Sequence, residues 1–316
     1  MANATCSIVI PSWNCLSFLP TTLSTIALQR VDGLEVVISD DGSTDGTSEW
    51  LAQTNHHGFR LVVLNTGGVG SAAARNQAVA AATAPLVAFL DADDTWFAGK
   101  LAAQIAYHNA HPDIDLTFTD YLHVSPLGRS FGTCFEFWQR DWTSQSDGQY
   151  VHLADAEAKL LATNLVGTST VMVRKTAFDA AGGFSRDRDA LEDWDLWLRM
   201  AAGRKVAFSS AVTTGYLMRP NSLTSNRQQR IKGMRKIVGR YVDHPDPTMQ
   251  AALRAACCRI TVAEAEAARE DGNHIAALRS HVAAFCGNLD RRSGRAMLSC
   301  AAALTRRFIR GSALDR

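Results

Sequence analysis

No apolar stretch in this sequence approaches the roughly 18 uninterrupted residues of a membrane-crossing helix, so no span is expected. Met1-Ala2-Asn3-Ala4-Thr5 also lacks the basic start of a secretory signal, and the expected location is the cytoplasm. The cysteines Cys6, Cys15, Cys134, Cys257, Cys258, Cys286 and Cys300 are odd in number. No pair has the two-residue gap of a zinc knuckle or thioredoxin motif, so reduced, mostly buried thiols are expected. HExxH is absent, and His108 and His111 read as a solvated helix end rather than metal ligands. Hydrophobic residues at 47% and charged residues at 20% exclude a collagen-like, coiled-coil or disordered chain. No nucleic-acid partner is expected.

What is present is a chain of 316 residues, enough for one large domain or one domain with an appendage. Its near-neutral total hides an asymmetry, since residues 1–226 carry net −8 and residues 227–316 net +9. Two regions with different partners are expected, divided there.

Ser7-Ile8-Val9-Ile10 is a β-branched run stopped by Pro11, and Leu16 to Leu28 repeats apolar positions at helical spacing. Strands follow at Glu35 to Ser39, Arg60 to Leu64 and Leu86 to Leu90, with a helix after the second beginning at Thr47 and an Ala-rich one after Gly67-Gly68-Val69-Gly70. This alternation indicates a parallel sheet covered on both faces. In such sheets ligands sit beyond the carboxyl ends of the strands. The polar segments Pro11-Ser12, Asp40-Asp41, the glycine loop and Asp91-x-Asp93 therefore converge on one rim. Later come an aromatic-rich segment from Phe131 to Trp142, expected as a mobile lid or acceptor-facing loop, and a strand at Thr168 to Lys175. Next is a helix at Leu191 to Met200. A basic helical tail follows, broken at Asp243 to Pro247, Gly272 and Gly287.

Asp91 and Asp93, two apart beyond a buried strand, can place one carboxylate on a divalent cation and leave the other for a ribose hydroxyl. Asp91 or Asp94 could instead cap a following helix at Thr95-Trp96. Asp40-Asp41-Gly42-Ser43-Thr44-Asp45 offers acceptors for a base imide or ribose, or an Asx turn with a helix cap. Arg75 can reach a nucleotide carbonyl or phosphate, or lie on the surface. Glu192-Asp193-Trp194 sets acids beside large rings, a setting that raises a carboxylate pKa and suits a general base; solvated or capping acids are the alternative. Two further readings stand. Gly68-Val69-Gly70-Ser71-Ala72-Ala73 fits a dinucleotide fingerprint, with Asp91 at roughly the spacing of the ribose acid, which would make an NAD-dependent oxidoreductase. Phe89 to Thr95 fits the hhhDxDxT nucleophile motif of haloacid-dehalogenase-like phosphatases.

Taken in order, Ser7-Ile8-Val9-Ile10-Pro11-Ser12-Trp13-Asn14, Asp40-Asp41-Gly42-Ser43-Thr44-Asp45, Ala74-Arg75-Asn76, Phe89-Leu90-Asp91-Ala92-Asp93-Asp94 and Glu192-Asp193 resemble the family 2 glycosyltransferases of GT-A fold. The resemblance spans about residues 5–226. It implies an α/β fold, a mostly parallel Rossmann-like sheet flanked by helices, here with a C-terminal helical appendage. It also implies inverting, metal-dependent transfer of a sugar from a nucleotide-diphosphate sugar, with UDP as the family-level choice, to a hydroxyl acceptor on a cell-surface glycan, glycolipid or lipid-linked precursor. By position, the Pro11 backbone, Asp41 and Arg75, with Asp40 beside them, resemble the base and nucleoside pocket. Asp91 resembles a ribose or diphosphate contact, Asp93 the Mg²⁺ or Mn²⁺ ligand with Asp94 as alternate, and Asp193 the catalytic base. Glu192, Trp194, Arg219 and Ser222 resemble the loop around acceptor and diphosphate. The Q-x-x-R-W signature of processive synthases is absent, so transfer of single sugars is expected. The +9 tail, with the run Ala296 to Leu304 between arginines, permits peripheral docking on an anionic membrane, or forms a solvated helical cap. A module of the same fold that binds nucleotide sugar or glycan without turnover is the alternative of another class.

Overall fold

A computed structural model describes residues 4–54, 58–138, 145–187, 191–219 and 227–288. The chain forms two compact units. One comprises Met1–Leu160, Asn164–Arg188 and Glu192–Pro220, and the other Leu161–Thr163, Asp189–Leu191 and Asn221–Arg316.

The first unit is built on a mixed ten-stranded sheet. In chain order the strands are β1 (Cys6–Ser12), β2 (Leu34–Asp40), β3 (Arg60–Asn65), β4 (Leu86–Phe89), β5 (Thr95–Trp96), β6 (Ile114–Val124), β7 (Ser130–Thr133), β8 (Val151–His152), β9 (Met172–Arg174) and β10 (Lys205–Leu217). Their spatial order is β3-β2-β1-β4-β9-β6-β10-β5, with β7 on β6 and β8 on β10. The β3-β2-β1-β4 half is parallel throughout. Short β9 runs antiparallel between β4 and β6, while β6 and β10 pair in parallel. Ile8, Val9 and Ile10 are fully buried, which is why β1 reads as an unbroken apolar run: helices cover both faces of a central parallel strand.

The crossovers are helices α1 (Leu19–Ala27), α2 (Thr47–Gln53), α3 (Ser71–Ala81) and α4 (Lys100–Ala110). Helix α1 starts with Pro20 in its first turn, where a missing N–H costs nothing, and buries Leu19, Thr22, Leu23 and Ile26 at the spacing of one helical face. Helix α2 begins where Asp45 accepts bonds from the Thr47 amide at 3.1 Å and the Thr47 hydroxyl at 2.5 Å.

Three local expectations are corrected. The segment from Thr168 to Lys175 is a 3₁₀ turn, Thr168–Thr170, before the three residues of β9. The Thr170 hydroxyl donates to the Gly167 carbonyl at 2.7 Å, and this local bond bends the chain away from strand geometry. The aromatic segment from Phe131, in its described part, is a strand end and a helical turn rather than an irregular loop. Thr133 and Glu136 form a capping box for the turn Cys134–Phe137, and Phe135 is fully buried against Phe118 and Phe208. Trp142 lies outside the described residues. His108 is fully buried, with Nε2 3.1 Å from the Thr117 hydroxyl, and burial drives its pKa down to about 4; His111 alone is the exposed helix end.

In the second unit, helices occupy Arg227–Gly239, Pro247–Glu270 and His274–Asn288. Asp246 caps the long helix through the Thr248 amide at 2.7 Å. The breaks expected near Pro245 and Gly272 are present, whereas Gly287 lies inside the last helix. Arg227 pairs with Glu266 and Glu270, and Arg235 with Glu264. Ala296 to Leu304 lies outside the described residues. Among the described residues no helix is long and apolar enough to cross a membrane. Cys6, Cys15, Cys134, Cys257 and Cys258 are free thiols, the first three of them buried.

Candidate active site

The carboxyl ends of β1 and β2 are stitched together before any ligand arrives. The Asn14 amide donates to the Ser43 hydroxyl and the Asn14 side chain accepts from the Thr44 amide, each at 2.8 Å. Asn14 adopts a left-handed backbone, φ 52°, which asparagine tolerates, and the turn leaves its neighbour Trp13 64% exposed at the rim. Pro11 pairs in register with Ser39 and Ser12 with Asp40, so Asp40 and Asp41 open just beside the end of β1. Asp40 is buried and takes hydrogen bonds from the Ser43 and Ser48 hydroxyls.

Asp41 is the anchor of the glycine loop. Its carboxylate accepts from the amides of Gly68, Val69 and Gly70 at 3.0, 2.8 and 2.7 Å and from the Thr66 hydroxyl at 2.8 Å. Burial alone would raise its pKa, but the Thr66 hydroxyl and these amides outweigh it and hold the carboxyl below its ordinary value. The consequence decides between readings. A dinucleotide fingerprint needs these amides for a pyrophosphate, and here an internal carboxylate already fills the nest.

Beyond β4 the three acids have distinct surroundings. Asp91 accepts from Arg75 at 2.6 Å and its amide donates to the Ser169 hydroxyl oxygen at 3.0 Å. Asp93 pairs with Arg219 at 2.6 Å; burial, then the charge of Asp91, raises its pKa despite that partner. Asp94 is buried, accepts from the Ser169 hydroxyl at 2.6 Å and from the Leu217 amide at 3.0 Å, and is raised well above the carboxylate range by burial and then by Asp91 and Asp93. It ties the acid loop to β10 and to the 3₁₀ turn.

Helix Glu192–Ala201 begins with its acids in the first turn, where the helix dipole favours negative charge. Glu192 accepts from the Ser71 hydroxyl at 2.8 Å and from Arg75 at 3.3 Å. Asp193 accepts from the Thr168 hydroxyl at 3.3 Å and from the Trp194 amide at 2.7 Å. Burial, then the neighbouring Glu192, pushes Asp193 up to about 6, with the Trp194 amide and Arg75 opposing. The residue nonetheless keeps part of its surface open to solvent, as an acceptor would require. Such a carboxylate is ionised near neutrality yet basic enough to take a proton.

Arg75 is the keystone. It is buried, stacks 5.5 Å from the Phe184 ring, and bridges Asp91 and Glu192. Burial works against its charge, and Asp91 and then Glu192 more than restore it. The structure thus brings Asp91, Arg75, Glu192 and Asp193 into one network, with Asp93 and Arg219 beside it through the acid loop. Trp194, expected at an acceptor-facing loop, is instead fully buried, its indole N–H donating to the Leu160 carbonyl at 2.9 Å, because helical spacing turns it with Trp197 into the core. Ser222 lies outside the described residues. Sequence reasoning missed Ser71, Thr168 and Ser169, small hydroxyl residues whose importance comes only from where the turn and α3 set them. Among the described residues no group of three or more histidine, cysteine or acidic side chains is arranged to hold a metal by itself.

Residues 7–149 match the family described as Glycosyl transferase family 2. The chain is 25% identical over 245 residues to the *Escherichia coli* protein named UDP-Glc:alpha-D-GlcNAc-diphosphoundecaprenol beta-1,3-glucosyltransferase WfgD, covering 76% of this chain and 87% of that one. It is 29% identical over 202 residues to a PGL/p-HBAD biosynthesis glycosyltransferase of *Mycobacterium bovis*, covering 63% and 70%. Among solved structures, TarS 1-349 of *S. aureus* with UDP-GlcNAc aligns at TM-score 0.63 and 17% identity, over 95% of this chain and 87% of that one. The mannosyltransferase PcManGT of *Pyrobaculum calidifontis* with GDP-Man and Mn²⁺ aligns at 0.62 and 20%, over 96% and 82%.

Proposed function

Because the chain belongs to glycosyl transferase family 2, with the GT-A fold, we propose that it transfers single sugars with inversion from a UDP-sugar to a hydroxyl of a lipid-linked glycan acceptor. One observation carries the mechanism: Arg75 joins Asp91 to Glu192, and so ties the acid loop to the helix that presents Asp193. In this reading the Pro11 backbone and the Asp40-Asp41 turn shape the nucleoside end of the cleft, with Trp13 as its exposed aromatic face. Asp91 faces the ribose or diphosphate. Asp193 takes the acceptor proton as that hydroxyl attacks the anomeric carbon from the face opposite the leaving diphosphate, and one displacement gives inversion. No second carboxylate nucleophile is needed.

The residues present fit a divalent cation. Asp91 and Asp93 are hard oxygen donors, and burial and mutual repulsion already disfavour the charge on Asp93, a cost that a cation would relieve. Asp93 would hold Mg²⁺ or Mn²⁺, with Asp91 nearby, while Asp94 is committed to Ser169 and Leu217. Such an ion supplies charge neutralisation for the leaving diphosphate.

The UDP choice and the lipid-linked acceptor rest on the similarity to the Escherichia coli UDP-Glc:alpha-D-GlcNAc-diphosphoundecaprenol glucosyltransferase. Residues 1–226 are taken as the catalytic region. Residues 227–316, at net +9, are taken as a helical appendage docking peripherally on the cytoplasmic face of an anionic membrane. A thermal-shift panel of UDP, GDP and dTDP, each with Mn²⁺, Mg²⁺ or EDTA, tests donor and cation together. A UDP shift that EDTA abolishes supports the reading. Equal shifts with all three nucleotides, or one indifferent to EDTA, overturn its donor or its cation. Transfer from UDP-sugars to a GlcNAc-diphosphate lipid analogue, with the anomeric configuration of the product read by NMR, tests acceptor and inversion.

A further inference from the structure

The Arg219 side chain is held against the acid loop that follows β4. Its Nε lies 2.6 Å from Asp93 Oδ2, and its guanidinium stacks 5.2 Å from the Phe18 ring. The backbone that delivers it is pinned at two successive amides: Leu217 donates to Asp94 Oδ1 at 3.0 Å and Met218 to the Val124 carbonyl at 2.8 Å. The pair is largely shielded, with side chains 31% and 17% exposed for Arg219 and Asp93. Asp91, two residues before Asp93, pairs with Arg75 at 2.6 Å. Both carboxylates that face the leaving diphosphate in our reading therefore carry a guanidinium of this chain.

We propose that Arg219 is a built-in counter-ion on Asp93 that competes with the divalent cation, so that the cation binds together with the nucleotide diphosphate rather than before it. This rests on the cation reading given above. The electrostatics follow from charge: a guanidinium on Asp93 removes most of the attraction for a free divalent ion and repels it at short range. A diphosphate restores negative charge at the same place and supplies oxygen ligands, which suits a site without a cage of three protein donors among the described residues. Cation and nucleotide affinities are then coupled, each strengthening the other by the same factor.

The test is Mn²⁺ titration followed by the EPR signal of the free ion, with and without UDP, on the full chain. Arg219→Ala is expected to bind Mn²⁺ alone about fivefold more tightly than the native protein, the equivalent of losing one partly shielded ion pair. UDP should then tighten Mn²⁺ binding less than it does in the native protein. Arg219→Lys, which keeps the charge without the planar fork, should fall between them. Unchanged or weaker Mn²⁺ binding in Arg219→Ala would overturn the proposal and make Arg219 a support for the cation ligand instead. Asp93→Asn separates the two levels. Loss of Mn²⁺ binding in this variant agrees with Asp93 as the contested ligand, whereas undiminished binding sinks the cation assignment itself and the competition with it.

Discussion

Replacing Asp193 by Asn should inactivate the protein and stabilise it at the same time. The folded pKa stands at about 6 against an ordinary 3.8, so near neutrality the fold bears the cost of keeping this carboxylate charged. Two units at about 1.4 kcal/mol each give an upper figure of about 3 kcal/mol. The part of Asp193 that reaches solvent reduces it to about 1–2 kcal/mol. The sign is fixed by linkage. A carboxyl raised on folding binds more protons in the native than in the unfolded state between pH 3.8 and about 6, so its charge lowers stability as pH rises through that window. The neutral amide avoids the cost. Calorimetry at pH 7.5 should show Asp193→Asn melting a few degrees above the native protein, by the usual scale of about 2–4 °C per kcal/mol for a domain of this size. The gain should shrink toward zero at pH 4. Sugar transfer should fall by about 10²–10⁴, the ordinary worth of a general base, while UDP binding persists. A melting temperature that is unchanged or lower at pH 7.5, or a gain equal at both pH values, would refute the electrostatic account of Asp193.

Glu192→Gln removes the second cause of the raised Asp193 pKa, so the acid limb of the transfer rate should move below its native position near pH 6; a limb that stays put would assign the shift to burial alone. Asp41→Ala leaves the Gly68, Val69 and Gly70 amides without their acceptor and should lower stability by about 2–3 kcal/mol, measured by urea unfolding. The native contribution of Asp41, whose pKa is depressed, should be lost as pH falls through that lowered value, so the difference between the two proteins narrows in acid. Trp13→Ala removes the exposed ring at the nucleoside end and should weaken UDP binding about tenfold or more in isothermal titration, at an unchanged melting temperature, since base stacking on an aromatic face is worth about 1–3 kcal/mol.

The half of the sheet formed by β1 to β4 was legible in the sequence. Strands β1, β2 and β4 are buried on both faces, so their apolar runs are continuous, and each ends at the polar residues that crystallise into the rim: Pro11, Asp40, Asp41, Asp91 and Asp93. Local chemistry was enough there, because strand, turn and helix signals all agree. The far half was illegible for the same reason in reverse. β9 keeps only three residues of the strand expected over Thr168 to Lys175 and β10 bends through register shifts, so their extent and their order in the sheet follow from long-range pairing. What each acid is bonded to follows from segments that the fold brings together. Asp41 looked like a nucleotide acceptor and is held by three loop amides, Asp94 looked like a spare metal ligand and is bound by Ser169 and Leu217, and Trp194 looked like an acceptor contact and lies in the core. A carboxylate has the same chemistry wherever it stands in a sequence. Which partner reaches it first depends on neighbours brought from up to 126 positions away, as between Asp93 and Arg219, and it is that neighbour which fixes its charge and its use.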